Sequence, residues 1–231
     1  MVKGVIFDLD GTLLDRESSL YDFLHYQHER LLEELGHIPI ENYISRFIDL
    51  DGHGYVGKDK VYDQLVNEFC ITKITSDHLL ADYNEYFRYS CIPFSNLTRM
   101  LEGLRKNSIR LGMITNGIGQ FQMENIKSLY IQEYFEAILI SEWEGVKKPN
   151  PEIFHRALEK MNLSVNECVF IGDHPINDIE AAKAIGMKTI WIKNNQWGKA
   201  AADETIEDLA EIALILESWR QQKIETATPI R

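Results

Sequence analysis

Five short apolar segments mark the chain, and none of them alternates regularly between polar and apolar residues. They are Val2–Phe7, Arg110–Thr115, Ala137–Ile140, Cys168–Gly172 and Lys188–Ile192. Strands that are covered by helices on both faces have this pattern, which is rich in valine and isoleucine. We therefore expect each segment to be a strand in the middle of a layered fold.

Helical periodicity fills the intervals between the later strands. Ser95 is a candidate N-cap for a helix whose apolar residues run to Leu104, and Pro151 suits the first turn of another helix. A shorter helix is expected from Asn177, with its end at Gly186. This alternation of strands and helices predicts an α/β fold with a Rossmann-like parallel sheet flanked by helices.

The interval 15–90 breaks the alternation, because its apolar residues follow helical spacing throughout. One long helical face covers residues 20–35 and is expected to end at Gly36. We predict that 15–90 is an all-helical cap domain inserted after the first strand. The segments 1–14 and 91–231 would then form one discontinuous α/β core domain.

The formal net charge of −12 narrows the classes of partner. A surface this negative repels nucleic-acid phosphates and anionic lipid headgroups, so we expect neither nucleic acid nor a membrane as a partner. The three cysteines are scattered and form no C-x-x-C pair, as is typical of free thiols in a reducing compartment. No segment approaches the ~20 apolar residues that span a bilayer. The apolar start is too short for a signal peptide, so we expect a cytoplasmic protein, with its oligomeric state left open.

Polar side chains cluster at or after strand ends, where parallel α/β sheets bind their ligands. In chain order they are Asp8, Asp10, Thr115, Asn116, Lys148, Asp173 and Asp178. The carboxylates suit a hard divalent cation, the hydroxyl and the amides after it can hold a phosphate oxygen, and the lysine can neutralise negative charge. Taken singly, each feature also fits an ordinary turn, a helix cap or a solvated loop.

Taken together, these residues resemble the phosphatase branch of the haloacid dehalogenase superfamily, which carries D-x-D-G-T, then S/T, then K, then G-D-x-x-x-x-D. The resemblance runs from Val2 to about Ile192, and the helical insertion resembles the C1 cap of subfamily I. It implies a Mg²⁺-dependent phosphatase that hydrolyses a small phosphate monoester, a small phosphorylated metabolite, through an aspartyl-phosphate intermediate.

The resemblance also implies the catalytic roles. Asp8 is expected to be the nucleophile, and Asp10 the general acid and then the general base. Thr115, Asn116 and Lys148 are expected to bind the phosphoryl group of the substrate. The second aspartate also argues against a dehalogenase, since those members of the superfamily lack it.

A magnesium site follows from the same resemblance. Asp8, Asp173 and the backbone carbonyl of Asp10 are expected to hold the ion, with waters completing its shell. Asp178 is expected to lie behind them and to hold Lys148 or a metal-bound water.

Two alternative functions remain open at this stage. A phosphomutase of the same fold keeps Asp10 as well, so this residue does not exclude it. A non-catalytic sensor of a phosphorylated ligand would keep the site for binding alone, although binding does not require both Asp8 and Asp10. The physiological substrate and the pathway are not identified by the sequence.

Some further features are not expected to carry the chemistry. The tetrapeptide Asp-Leu-Asp-Gly recurs as Asp49–Gly52, but histidine follows it and helical spacing precedes it, so we reject it as a catalytic centre. The glycine-rich loop Gly52–Lys58 is a hypothesis for substrate selection, with a plain surface turn as the alternative. The four tryptophans are expected to be packing residues; they are Trp143, Trp191, Trp197 and Trp219.

Overall fold

The structure is a computed structural model of the chain, and it describes residues 2–194 and 196–227. The chain divides into two compact units. One consists of the chain up to Asp15 together with the chain from Pro93 onward, and the other is Arg16–Ile92. Each unit encloses its own set of buried apolar side chains.

The first unit is built on a parallel sheet. Its strands are β1 (Gly4–Phe7), β2 (Arg110–Thr115), β3 (Ala137–Ile140), β4 (Cys168–Gly172), β5 (Lys188–Ile192) and β6 (Glu204–Ile206). Their order across the sheet is β3-β2-β1-β4-β5-β6, and every neighbouring pair is parallel. The predicted α/β fold with a Rossmann-like parallel sheet is confirmed.

The strands largely have the predicted bounds. β2 to β5 begin and end where the apolar segments do, while β1 starts at Gly4 instead of Val2. The central strand lacks alternation because both of its faces are covered: Val5, Ile6 and Phe7 are all 0% exposed. The sequence pattern does not predict β6, since only Ile206 of its three residues is buried.

Helices in both units are numbered here along the chain. They are α1 (Arg16–Arg30), α2 (Leu32–Leu35), α3 (Ile40–Asp51), α4 (Lys58–Glu68), α5 (Ser76–Tyr86), α6 (Leu97–Lys106), α7 (Gly119–Ser128), α8 (Ser141–Glu144), α9 (Pro151–Lys160), α10 (Ala181–Ala184) and α11 (Glu211–Ala227). A π-helical turn, Pro175–Glu180, leads into α10. Single 3₁₀ turns lie at Gly52–Gly54, Phe87–Ser90, Gln132–Tyr134 and Val165–Glu167.

The helix expected at Pro151 is confirmed, and its local chemistry is plain. Asn150 caps α9, because its side chain accepts a hydrogen bond from the backbone N–H of Glu152 at 2.9 Å. The apolar face of α9 packs on the sheet, where the ring of Phe154 lies 5.1 Å from that of Phe170 in β4. This packing fixes the start of α9 close behind the loop that carries Lys148.

Two details of the helix predictions are wrong. Ser95 does not cap α6; the residue before the helix is Asn96, which has a left-handed backbone with φ 64°. Residues 20–35 form two helices, α1 and α2, instead of one. The short helical run expected at 177–185 and ending at Gly186 is confirmed, although its first part is the π-helical turn and only its last turn, α10, is α-helical. Each error concerns a local hydrogen-bond choice that apolar spacing does not encode.

The second unit, Arg16–Ile92, contains α1 to α5 and is helical throughout apart from its turns. Its core contains several aromatic side chains, and the buried rings are Phe23, Tyr43, Phe47, Tyr62, Tyr83 and Phe87. None of the helices in the described part of the chain is long and apolar enough to cross a membrane.

A buried polar group holds this aromatic core in register. Gln27 of α1 is 0% exposed, and its Oε1 accepts hydrogen bonds from the hydroxyl groups of Tyr43 at 2.8 Å and Tyr62 at 3.0 Å. Its Nε2 donates to Asp82 Oδ1 at 2.8 Å, and Asp82 also accepts from both terminal nitrogens of Arg30. Gln27 thus links α1 to α3, α4 and α5 in one network.

Loss of the shared acceptor should destabilise this unit. We expect Gln27→Leu to lower the free energy of unfolding by about 3 kcal/mol, because two buried phenols lose their partner. The matched variant Gln27→Leu with Tyr43→Phe and Tyr62→Phe should recover most of that loss, since it removes the stranded hydroxyl groups. Urea denaturation measures both. Equal stability of the single and triple variants would contradict the network.

Candidate active site

The predicted site residues meet at one edge of the sheet. β1 pairs with β2 on one side and with β4 on the other, so their carboxyl ends are neighbours. Asp8 follows β1 directly, Thr115 is the last residue of β2, and Asp173 follows β4. All three are buried, with exposures of 6%, 1% and 7% respectively. Sequence positions far apart are thus brought together by strand order alone.

Lys148 is the centre of this group. Its Nζ donates to Asp8 Oδ1 at 2.5 Å and to Asp178 Oδ1 at 2.7 Å, and the side chain is 3% exposed. Burial alone would lower the pKa of Lys148, but the charges of Asp178 and Asp8 outweigh it and raise the pKa above its usual value. The ammonium group therefore stays charged. Lys147, by contrast, is exposed.

Asn116 fixes the backbone of Lys148. Its Nδ2 donates to the Lys148 carbonyl oxygen at 2.9 Å, and its Oδ1 accepts from the Lys148 backbone N–H at 2.9 Å. The peptide bond from Lys148 to Pro149 is cis. The side chain of Asn116 thus holds the lysine loop, while its contact with a phosphoryl group stays a prediction.

Both carboxylate oxygens of Asp8 have partners. Oδ1 accepts from Lys148, and Oδ2 accepts from the hydroxyl group of Thr12 at 3.0 Å. Burial and the nearby Asp178 charge raise the pKa of Asp8 to about 6, although Lys148 acts in the opposite direction. Thr12 belongs to the first motif in the sequence, yet no pattern assigns it this contact.

Asp173 is held by donors from β5 and from the chain after it. Its Oδ2 accepts from Asn194 Nδ2 at 2.9 Å and from the indole Nε1 of Trp197 at 3.1 Å. Its backbone oxygen accepts from the indole Nε1 of Trp191 at 2.5 Å. Trp191 is buried in the core, as predicted, and also donates this hydrogen bond. Trp197 is half-buried, and the prediction of packing did not include its hydrogen bond to a site residue. The prediction of packing is wrong for Trp143, which is 55% exposed.

Two glycines give the carboxylates room to approach. Gly11 has φ 81°, and a Cβ there would lie 2.5 Å from Asp173 Oδ2. A Cβ on Gly172 would collide with the carboxyl group of Asp178. Asp178 is 1% exposed, and its Oδ2 accepts from the backbone N–H of His174 at 3.0 Å. The backbone is thus adapted to close packing of acidic groups.

Three carboxylates could share a metal ion. Asp8, Asp173 and Asp178 each offer one oxygen, and these oxygens lie within 4.8 Å of one another. Burial, with the charges of Asp8 and Asp178, raises the pKa of Asp173 well above its usual value. Carboxylate oxygens are ligands that fit a hard divalent cation, and these three carboxylates are faced by one ammonium group, that of Lys148, which contacts Asp8 and Asp178. The side chain of Asp10 is not one of these three.

Asp10 instead contacts a residue that no motif contains. Gln122 of α7 is 3% exposed, and its Nε2 lies 2.5 Å from Asp10 Oδ2 and 2.8 Å from Thr115 Oγ1. A glutamine on a helix carries no chemical signal in a single sequence, so sequence analysis does not find it. Only the folded chain shows that it joins two of the predicted site residues.

The sequence is similar to those of known proteins along most of its length. The sequence model of the family "Haloacid dehalogenase-like hydrolase" matches residues 5–192. The "Glyceraldehyde 3-phosphate phosphatase" of Pyrococcus abyssi is 33% identical over 84% of this chain and 82% of its own.

Solved structures share the fold. A HAD phosphatase from Thermococcus onnurineus superposes with a TM-score of 0.66 at 26% identity, over 93% of this chain and 98% of its own. The putative HAD-hydrolase YfnB from Bacillus subtilis, bound to magnesium, superposes with a TM-score of 0.76 at 21% identity over the same shares of the two chains.

The raised pKa of Asp8 has a consequence for stability. The pKa is 3.8 in a free side chain and about 6 in the folded protein, so the folded state binds this proton more tightly. Stability is therefore lost as the pH rises from about 4 to about 6, and the penalty is complete above that range. We expect Asp8→Asn to raise the free energy of unfolding by about 1–3 kcal/mol at pH 8 in chelator, and by less at pH 5.

The matched control is Asp49→Asn, which alters an exposed carboxylate in the second Asp-Leu-Asp-Gly copy. It should show no such gain at either pH. Thermal denaturation with chelator at both pH values measures the effect. A less stable Asp8→Asn at pH 8 would contradict the electrostatic argument.

Proposed function

Because this chain belongs to the haloacid dehalogenase-like hydrolase family and is a phosphatase that acts on phosphoric monoesters, we propose that Asp8 is its nucleophile. The observation that carries this proposal is the position of Lys148 Nζ, 2.5 Å from Asp8 Oδ1 in a buried site. An ammonium group there neutralises the attacking carboxylate, so a phosphate dianion can approach it. The proposed substrates are small phosphorylated metabolites, and glyceraldehyde 3-phosphate is the first to test, given the relatives of that name.

The reaction has two steps. In the first, an oxygen of Asp8 attacks phosphorus, the bond from phosphorus to the ester oxygen breaks, and Asp10 gives its proton to that oxygen. In the second, Asp10 takes a proton from water, whose oxygen attacks phosphorus and releases phosphate and the Asp8 carboxylate. Thr115, the backbone of Asn116, and Lys148 hold the phosphoryl oxygens through both steps.

Mg²⁺ is the proposed cofactor, held by Asp8, Asp173 and the backbone carbonyl of Asp10. The donor set supports it: these ligands are oxygens, and the pKa values of Asp8 and Asp173 are raised by burial and by neighbouring negative charges. When bound, the ion supplies positive charge that reduces repulsion between Asp8 and the substrate. Asp178 is not one of the proposed ligands; its carboxylate orients Lys148 by accepting a hydrogen bond from Nζ.

The two units have different proposed roles. The unit with the sheet is the catalytic core domain, since it contains all the residues named above. The helical unit, Arg16–Ile92, is the proposed cap domain, which limits the size of the substrate.

Asp8→Asn should abolish turnover. With Mg²⁺ present, we expect the variant to lose about 10⁴- to 10⁶-fold in kcat, because a covalent nucleophile is removed. The panel contains glyceraldehyde 3-phosphate, a hexose phosphate, a nucleoside monophosphate and phosphoglycolate, each assayed with Mg²⁺ and with chelator. Release of phosphate measures the rate, and Asp49→Asn is the matched control with expected parental activity.

Each other outcome has a meaning. Full turnover by Asp8→Asn, with reversion to aspartate excluded by mass spectrometry, would contradict Asp8 as the nucleophile. An isomerised sugar phosphate in place of free phosphate would favour a mutase. Binding without turnover of any ester would favour a sensor.

The loop Gly52–Lys58 is proposed to select the substrate. It begins in a left-handed backbone, with φ of 52° at Gly52, 57° at His53 and 89° at Gly54. Asp51 precedes it, is 1% exposed, accepts a hydrogen bond from Arg16 Nη2 at 2.8 Å and forms an ion pair with Lys58 Nζ. Asp51 is the last residue of α3. Its contacts therefore hold both ends of the loop to the helical unit and give the loop a defined shape.

Exchange of the loop should alter substrate preference. We expect that replacing residues 53–57 by an unrelated segment of the same length changes the ranking of esters while the Mg²⁺ dependence stays constant. The control exchange is at residues 72–74, between α4 and α5. An unchanged ranking of the esters on the same panel would contradict a role of this loop in substrate selection.

A further inference from the structure

We propose that Gln122 is a positioning residue that aims the Asp10 carboxylate at the ester oxygen and aligns it with Thr115. This inference rests on the proposed function, because it assumes that Asp10 transfers the proton. Gln122 touches neither the nucleophile nor the carboxylate cluster in any described contact. Three features of Gln122 support this role: the direction of its amide, the packing that fixes its side chain, and the chemistry of a neutral donor.

The direction of the amide is set by its neighbours. Three oxygens surround Nε2, namely Asp10 Oδ2 at 2.5 Å, Thr115 Oγ1 at 2.8 Å and the backbone oxygen of Asn116 at 3.1 Å. On the other side, Oε1 accepts from Asn125 Nδ2 at 3.2 Å. A flipped amide would turn an oxygen toward the Asp10 carboxylate and an NH₂ group toward another NH₂ group, so only this orientation satisfies the partners.

The side chain is also held sterically. Gln122 and Asn125 are 3% and 0% exposed, so both amides lie inside the fold on α7. A Cβ on Gly117 would lie 2.8 Å from Gln122 Cγ, which means that the loop after β2 packs directly against the glutamine. The amide therefore cannot follow Asp10 if that side chain turns away, and it defines a fixed point for one carboxylate oxygen.

A neutral amide suits a residue that must give and then take a proton. The hydrogen bond from Nε2 fixes Oδ2 of Asp10 whether the acid is ionised or protonated on its other oxygen. A lysine or histidine in this place would favour the ionised form and would add a second titrating group. The amide thus keeps the direction of Asp10 constant while its charge changes between the two steps.

Thr115 is oriented by the same nitrogen. Its oxygen accepts from Gln122 Nε2, so its own hydrogen is directed elsewhere and can be given to a phosphoryl oxygen. One side chain on α7 therefore couples the residue that transfers the proton, after β1, to the residue that binds phosphate, at the end of β2. This coupling would keep the leaving oxygen in line with the acid.

The experiment separates proton transfer from general damage by varying the leaving group. An alkyl phosphate needs protonation of its leaving oxygen, whereas p-nitrophenyl phosphate does not, because p-nitrophenolate is a stable anion. We expect Gln122→Met to slow phosphorylation of the enzyme about 10- to 100-fold with the alkyl ester and less than about threefold with the nitrophenyl ester. Dephosphorylation needs Asp10 as a base with either substrate, so it should slow about 10- to 100-fold. The phosphoenzyme then accumulates, and an initial burst of released nitrophenolate measures it.

Two further variants keep the test decisive. Gln122→Glu has nearly the same shape but cannot donate to Asp10 when ionised, and it should show the same dependence on the leaving group even if Gln122→Met folds poorly. Gln120→Met changes an exposed glutamine on the same helix, whose amide contacts Glu124, and it should behave as the parent. Melting temperatures near that of the parent confirm that the variants are folded.

The outcomes distinguish this inference from the proposed function. If the parent forms no phosphoenzyme with either ester, the aspartyl-phosphate mechanism itself fails. If the parent forms it and the Gln122 variants lose the same factor in the rate of phosphorylation with both esters, or change only KM, Gln122 is structural and the inference is overturned.

Discussion

A single buried ammonium group holds the acidic edge of this sheet together. Lys148 bridges Asp8 and Asp178, and all three side chains are almost fully buried. Burying several carboxylates without compensating positive charge is costly, and removal of one partner from such a set leaves an uncompensated charge. The placement of the lysine loop is therefore a condition for the whole site. Asn116 meets that condition through two backbone hydrogen bonds, and the packing of α9 on the sheet supports the loop from behind.

The polar groups around Lys148 are of two kinds. The lysine and the carboxylates carry the charges of the site, while neutral hydrogen-bond donors fix the orientation of the carboxylate side chains. Thr12 holds Asp8, Asn194 and Trp197 hold Asp173, and Gln122 holds Asp10. Neutral donors can fix an acidic oxygen without changing the net charge of the site.

How much was predictable depends on whether a feature is local in the sequence. The strands are local features, because burial of both faces of a strand requires a short run of mostly apolar residues, such as Arg110–Thr115. The meeting of Asp8, Thr115 and Asp173 follows from a parallel sheet and from the family resemblance. Gln122, Asn194 and Trp197 were not predictable, because each gains its role from a partner more than twenty residues away. Strand β6 and the start of α6 after Asn96 were not predicted for a different reason. A strand of three residues and a single left-handed backbone angle produce no periodic pattern of apolar residues.

The bridge made by Lys148 also bears on how such a protein matures in a cell. The counter-charge for Asp8 and Asp178 is part of the polypeptide, so it arrives with the chain as it leaves the ribosome. Assembly of the acidic edge therefore does not have to wait for an ion from the surrounding medium.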